Sequence, residues 1–342
     1  MKKQMFILAV VFFAATTVFG QMKKNSDPQP LSCTPGPLTP MAGAPYDYSA
    51  LVVPANGNFT WWATKDIDFI KEGVNNLATK LSVGTDLLAA SANYGIPGGT
   101  TNASTVNITW SGATLAGTSD LAPTFVVVQN DAIAPNCANN LKVYQIKPIN
   151  GFIVDIKNMD QAKATLSYAT PYSFCVSSIA SAKFSGGAIV TDYGTNVMYF
   201  EVVAANFSGS YTPAFQLSGL QTGQSVTSLE LYTDPAFATT AIATTQTAGI
   251  YSPDAPVAVD GSISNTSTGV SLYVKLTIAN GTYETLNDEA IALAVNGTNA
   301  VGEKSVDNTD CTKASNFNDV ATQTLLARPK ITAVAPGVFV TP

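Results

Sequence analysis

Asn196–Leu220 reads NVMYFEVVAANFSGSYTPAFQLSGL, and its reading decides the fold. Asn196–Ala204 is a run dominated by β-branched, aromatic and apolar residues, and Pro213–Leu217 is a second, shorter one. Small and polar residues separate them. Runs of this length bounded by Gly, Ser and Asn predict strands rather than helices.

The same pattern extends in both directions. Leu141–Ile146 and Phe152–Ile156 flank Asn150-Gly151, a dipeptide that favours a two-residue hairpin turn. A hairpin is therefore expected there. Val106, Ile108 and Trp110 alternate with Asn107 and Thr109, the period of a half-buried strand. Further strands are expected at Asn58–Ala63, Pro123–Gln129, Tyr172–Ser178, Ala188–Thr191, Val226–Tyr232 and Gly269–Ile278. The last expected strands are Ala290–Val295, Val320–Leu326 and Ile331–Ala335. Turn signals recur between them, including Asn280-Gly281, Asn296-Gly297 and Gly186-Gly187. Only Ile67, Ile70, Val74, Leu77 and Leu81 recur at helical spacing, predicting a short helix over Asp66–Lys80 that Gly73, Asn75 and Asn76 weaken.

Many short strands without an alternating strand–helix rhythm indicate an all-β chain of sandwiches. The length, 342 residues, exceeds one sandwich of about 100 residues. Two or three tandem domains are expected: residues 55–140, residues 141–250, and residues 251–342 as a third domain or a continuation of the second. Thr233–Asp260, rich in small residues, Thr and Pro, reads as a linker or long surface loop.

Met1–Gly20 carries Lys2 and Lys3 before the apolar run Met5–Phe19. This is the layout of a signal peptide, too short for the roughly 20 apolar residues of a membrane span. Cleavage is expected after Gly20, and no span is expected in the mature chain. Residues 21–54 contain prolines at 28, 30, 35, 37, 40, 45 and 54. That spacing forbids a helix and suits an extended arm that docks on another domain or subunit.

Composition excludes much. The chain has no histidine, which removes Ser-His-Asp and Cys-His nucleophile systems, His-bound zinc and His-ligated haem. Removing Lys2 and Lys3 from the 17 basic residues leaves 15 against 23 acidic ones. Nucleic acid and anionic lipid are poor partners for such a surface. Arg328 is the sole arginine, and no Lys or Arg occurs from Phe184 to Val274. A surface of Thr, Ser, Asn, Gln and Gly repels itself weakly and suits close packing against copies of itself; an ordinary neutral secreted surface is the plainer reading.

The four cysteines, Cys33, Cys137, Cys175 and Cys311, suit two disulfides in an exported chain. Of three pairings, Cys137–Cys175 with Cys33–Cys311 is favoured, joining neighbouring strands in one case and the arm to the C-terminal region in the other. Trp61 and Trp62 are adjacent on one expected strand, so one should be buried and the other exposed. An exposed indole would be a glycan-stacking contact; a capped edge or domain contact is the plainer reading. Asp307, Asn308 and Asp310 offer the oxygen ligands that calcium takes, although the spacing lacks the full EF-hand loop. Calcium is the sole cofactor this sequence suggests. Paired carboxylates at Asp66/Asp68 and Asp288/Glu289 are the remaining route to catalysis, and polar turns explain them equally well. No enzyme activity is expected.

Leu141–Lys157 (LKVYQIKPINGFIVDIK), Asn196–Leu220 and Tyr283–Gly297 (YETLNDEAIALAVNG) resemble secreted surface proteins of Bacteroidetes-type bacteria. Those proteins are built from immunoglobulin-like β-sandwich modules. The resemblance implies a secreted or cell-surface component of a matrix or filament and brings no catalytic residues. The expectation is a non-enzymatic extracellular structural protein that assembles with copies of itself, by strand addition or arm docking, into a filament, sheath or surface layer. The alternative is a monomeric adhesin or glycan-binding module contacting other surface proteins or glycans.

Overall fold

The computed structural model describes residues 21–23, 26–51, 58–70, 79–96, 103–131 and 138–331. The expected signal peptide, most of the expected helix, Cys137 and the expected strand after Ile331 lie outside these residues. Asp66–Ile70, the described start of the expected helix, is not helical. The described chain is nearly all β, and its strands build two large hydrophobic cores beside two small clusters.

The smaller core uses β1 (Pro45–Ser49), β2 (Asn58–Thr64), β3 (Leu87–Ala90), β4 (Thr105–Trp110), the short helix α1 (Gly112–Ala116), β5 (Thr124–Asp131) and β6 (Asn140–Ile146). Two three-stranded antiparallel sheets result, in the orders β1-β4-β3 and β2-β5-β6. Their facing side chains, including Trp61, Ile108, Trp110, Val126 and Val128, form one cluster. Strand alternation explains the selection: Val106, Ile108 and Trp110 point inward from β4 as their spacing predicts. The Trp110 indole donates to the Tyr48 hydroxyl at 3.0 Å, so this polar edge of the core is satisfied.

The rest of the described chain, which holds the larger core, begins with β7 (Ile153–Met159), β8 (Tyr172–Cys175), β9 (Ser181–Ser185), β10 (Ala188–Asp192), β11 (Thr195–Ala205), β12 (Ser210–Ser218) and β13 (Ser225–Tyr232). It continues with β14 (Ile242–Thr247), β15 (Ile250–Pro253), β16 (Val257–Ala258), β17 (Val270–Ala279) and β18 (Glu289–Asn299). β19 (Val306–Asp307), β20 (Asp310–Ala314) and β21 (Asp319–Leu326) complete it. One layer runs β7-β11-β17-β13 and the other β12-β18-β21-β8. Asn196–Leu220 is where the chain leaves one layer and enters the other: β11 pairs with β17, and β12 pairs with β18. Between them lie Val202, Leu272, Val274, Ile291, Leu293 and others, all fully buried.

Three sequence expectations are corrected. Thr233–Asp260 is neither linker nor loop. It holds β14 and β15, which join the layers edge to edge: β14 pairs with β13 at Ile242 and Ala243, and β15 pairs with β12 at Ile250 and Tyr251. Ala248 and Gly249, both at positive φ, supply the tight turn that a two-residue hairpin needs. The hairpin expected at Asn150-Gly151 does not form. β6 pairs with β5, and β7 pairs with β11. Gly151 is not at positive φ; a Cβ there would overlap Met41, so glycine serves a close approach between the two cores. A third correction concerns Trp61 and Trp62, neither of which is exposed.

The described part of the arm folds back on its own chain. Met22 and Lys23 bridge to Val259 and Ser271, and Pro45–Ser49 becomes β1. Leu31 packs on Ile153, and Gln29 and Ser26 bond Asp155 and Lys157, so the arm covers the outer face of β7 along that stretch. With Tyr232 and Tyr273 against Met159, this explains why every residue of β7 is buried rather than every second one.

Candidate interaction surface

β9 and β10 pair only with each other among the described residues. Their register places Ser185 opposite Ala188 and Phe184 opposite Ile189. Gly186 and Gly187, at φ 62° and 85°, form the connecting turn; left-handed backbone at two successive positions strongly favours glycine. Both strands are exposed on both faces apart from half-buried Thr191. Phe184 is 76 % exposed, Ile189 48 % and Val190 44 %. These apolar side chains line a groove of about 640 Å³ that follows β10 to Tyr193 and Thr282.

The hairpin stands on a fixed base. Ala180 N–H donates to Asp192 O and Tyr193 N–H to Gly281 O, both at 2.9 Å. The Arg328 guanidinium donates to Tyr193 O at 2.7 Å and lies over the Tyr193 ring. Asn280 is fully buried; its amide donates to Ser177 Oγ and Tyr193 O and accepts from Asn196 and Gln224. Asn280 is thus a structural amide with no accessible nitrogen.

The arm is fastened at several points. Gln29 donates to Asp155 from its backbone at 2.9 Å and from its side chain at 3.4 Å. Asn308 donates to the same carboxylate at 2.6 Å, and the Lys157 ammonium donates to Ser26 Oγ at 2.6 Å. A Cys33–Cys311 disulfide closes the arm onto the β19–β20 region. Cys175 lies exposed on β8, and its expected partner Cys137 lies outside the described residues. Burial raises the Asp155 carboxyl above its ordinary range, against the hydrogen bonds from Asn308 and Gln29. Burial first, and the Asp155 charge second, raise Asp319 to about 7.

The tryptophans correct the third expectation. Trp61 and Trp62 are both fully buried. Trp61 faces the small core and donates to Ala103 O at 3.1 Å. Trp62 lies on the opposite face of β2 beside Val127, which is equally buried. On that face Phe69 packs edge-on against Phe125 at 5.0 Å, so both sides of the strand are covered. Neither indole can stack on a sugar.

The expected calcium ligands do not converge. The Asp307 carboxylate accepts from Thr309 and Asn318. That of Asp310 accepts from Thr312 and pairs with Lys313 at 2.7 Å. The Asn308 amide is turned to Asp155. No group of three or more acidic or cysteine side chains that could hold a metal occurs among the described residues. Asp66 caps Thr79 N–H, and Asp288 accepts from Ala327 N–H. Glu289 is buried, faces Gln224, and is pushed above the ordinary carboxylate range by burial. Asp66, Asp288 and Glu289 therefore serve local structure. No helix among the described residues is long and apolar enough to cross a membrane.

No family model matches the chain, and no curated protein matches it. Among solved structures it is similar to the Streptococcus agalactiae AgI/II polypeptide BspA C-terminal domain, with 8 % identity and a TM-score of 0.25, covering 64 % of this chain and 62 % of that one. It is similar also to BcpA, the major pilin subunit of Bacillus cereus, with 6 % identity and a TM-score of 0.29, covering 83 % and 69 %. A third is the collagen adhesin of S. aureus, with 8 % identity and a TM-score of 0.23, covering 65 % and 68 %. The chain thus spans about three-fifths of the length of the BspA domain it matches. These overlaps are shallow, and none says what this chain does.

Proposed function

We propose that this chain is a non-enzymatic, extracellular structural protein that assembles with copies of itself into a filament, sheath or surface layer. The observation that carries this reading is the β9–β10 hairpin, fixed at its base, with exposed apolar side chains and no third strand among the described residues. An isolated two-stranded hairpin is marginal in water, and a third strand stabilises it. The low charge of the chain, with no Lys or Arg from Phe184 to Val274, adds little repulsion between copies. The arm is occupied on its own chain, so strand addition is the favoured mode of contact. The monomeric glycan-binding alternative loses its tryptophan contact, because Trp61 and Trp62 have no accessible surface.

The test is size exclusion across a wide concentration range with negative-stain electron microscopy of the chain from Gln21 onward. Concentration-dependent growth into regular particles is expected. A strictly monomeric profile at the highest concentration would sink the reading.

A further inference from the structure

We infer that the outer edge of β10 is a strand-addition site whose occupant is β10 of a second copy, paired antiparallel about Val190. This rests on the self-assembly reading and names its contact. Natural sheets protect exposed edges with lysine, proline, bulges or a covering segment. β9 has such protection in Lys183, at its centre. β10 has none among the described residues: Ala-Ile-Val-Thr-Asp places three β-branched residues in a row and its one charge, Asp192, at the end. The groove alongside it is open and apolar, lined by Phe184, Ile189 and Val190.

Self-pairing about Val190 is electrostatically permitted. Asp192 would lie opposite the partner's Ala188, and Ile189 opposite the partner's Thr191, so no like charges meet. The same pairing through β9 would set Lys183 against the partner's Lys183, a destabilising cross-strand pair. Joining two hairpins through β10 gives a four-stranded sheet, β9-β10-β10-β9. Phe184 and Ile189 face the same side, so each copy contributes to one apolar band across it. Five residues a side bury far less than the roughly 1,200–2,000 Å² of a stable interface. The contact is therefore one weak joint whose strength comes from repetition or from a second surface.

The test uses cysteine cross-linking in a background carrying Cys137→Ser and Cys175→Ser, with Cys33–Cys311 intact. Directly opposed residues of an antiparallel pair have Cα atoms about 4.5–5.5 Å apart, within disulfide reach. Val190→Cys should give a covalent dimer under mild oxidation. Lys183→Cys, three strand spacings or about 14 Å from its counterpart, should give at least about tenfold less. Val190→Lys should raise the concentration for half-assembly about tenfold or more, with an unchanged far-ultraviolet spectrum, from like charges opposed in the joint. Assembly that proceeds while Val190→Cys cross-links no better than Lys183→Cys overturns the inference and leaves self-assembly standing. A monomer whose β10 amides exchange slowly also overturns it, because the chain then covers its own edge. A monomer with fast β10 exchange removes self-assembly and this inference together.

Discussion

Asp319 holds a proton that the unfolded chain would release. Its carboxyl is raised to about 7 from an ordinary 3.8, by burial and then by Asp155. Between these values the folded state binds more protons than the unfolded state. Its contribution is therefore favourable at low pH and is lost as pH rises through the folded value. Asp319→Asn should raise the melting temperature above neutrality and leave it nearly unchanged near pH 4, with a gain of roughly 1–2 kcal/mol. Thermal unfolding across that range checks it. Trp61 and Trp62 act at the same scale. Trp61→Ala should cost about 3–5 kcal/mol by leaving a cavity, and its effect should be on unfolding. Trp62→Phe should be milder, because the Trp62 Nε1 has no hydrogen-bond partner to lose.

Hairpins at the element scale respond to their turns. Gly187 has φ 85° and open space around its Cβ direction. Gly187→Val therefore tests backbone strain alone, which is about 1–3 kcal/mol at such positions. Amide exchange in β9 and β10 should accelerate while exchange in β17 and β18 stays unchanged. Exchange that accelerates everywhere would mean that the hairpin is built into the core. The sequence makes the inner strands readable, since Val106–Trp110 and Val270–Ile278 carry apolar residues at every second position. It hides β14, whose IATTQT has no apolar period and is recognised only through the edges it joins. It hides the hairpin as a surface for a related reason. Gly186-Gly187 and Ala188–Thr191 signal turn and strand, but exposure on both faces leaves no alternation to read. Trp62 misled in the opposite sense. Its outer face is covered by side chains that include Phe69 and Phe125, and alternation along β2 carries no trace of that.

The whole molecule is held by contacts between its ends. The Cys33–Cys311 bond joins residues 278 apart, and Asp155 ties Gln29 and Asn308 beside it. Removing the bond with Cys33→Ser should lower stability by about 2–5 kcal/mol. It should also admit proteolysis within the arm at Asp27–Thr34 before the cores unfold. Intact arm peptides on protease digestion of the variant would show that the Asp155 hydrogen bonds suffice without sulfur.

That bond also sets how the chain would carry tension. Pulled from a point before Cys33 and a point after Cys311, the covalent path runs arm, sulfur, sulfur, β20. Everything between the two cysteines is bypassed, including β11, β17 and β18. Only the arm's first contacts and β21, which lies after Cys311, are left to peel. A chain wired this way lengthens only by the residues before Cys33 and after Cys311; peeling β21 withdraws Ala321 and Leu325 from the larger core, while the segments between the two cysteines carry no tension.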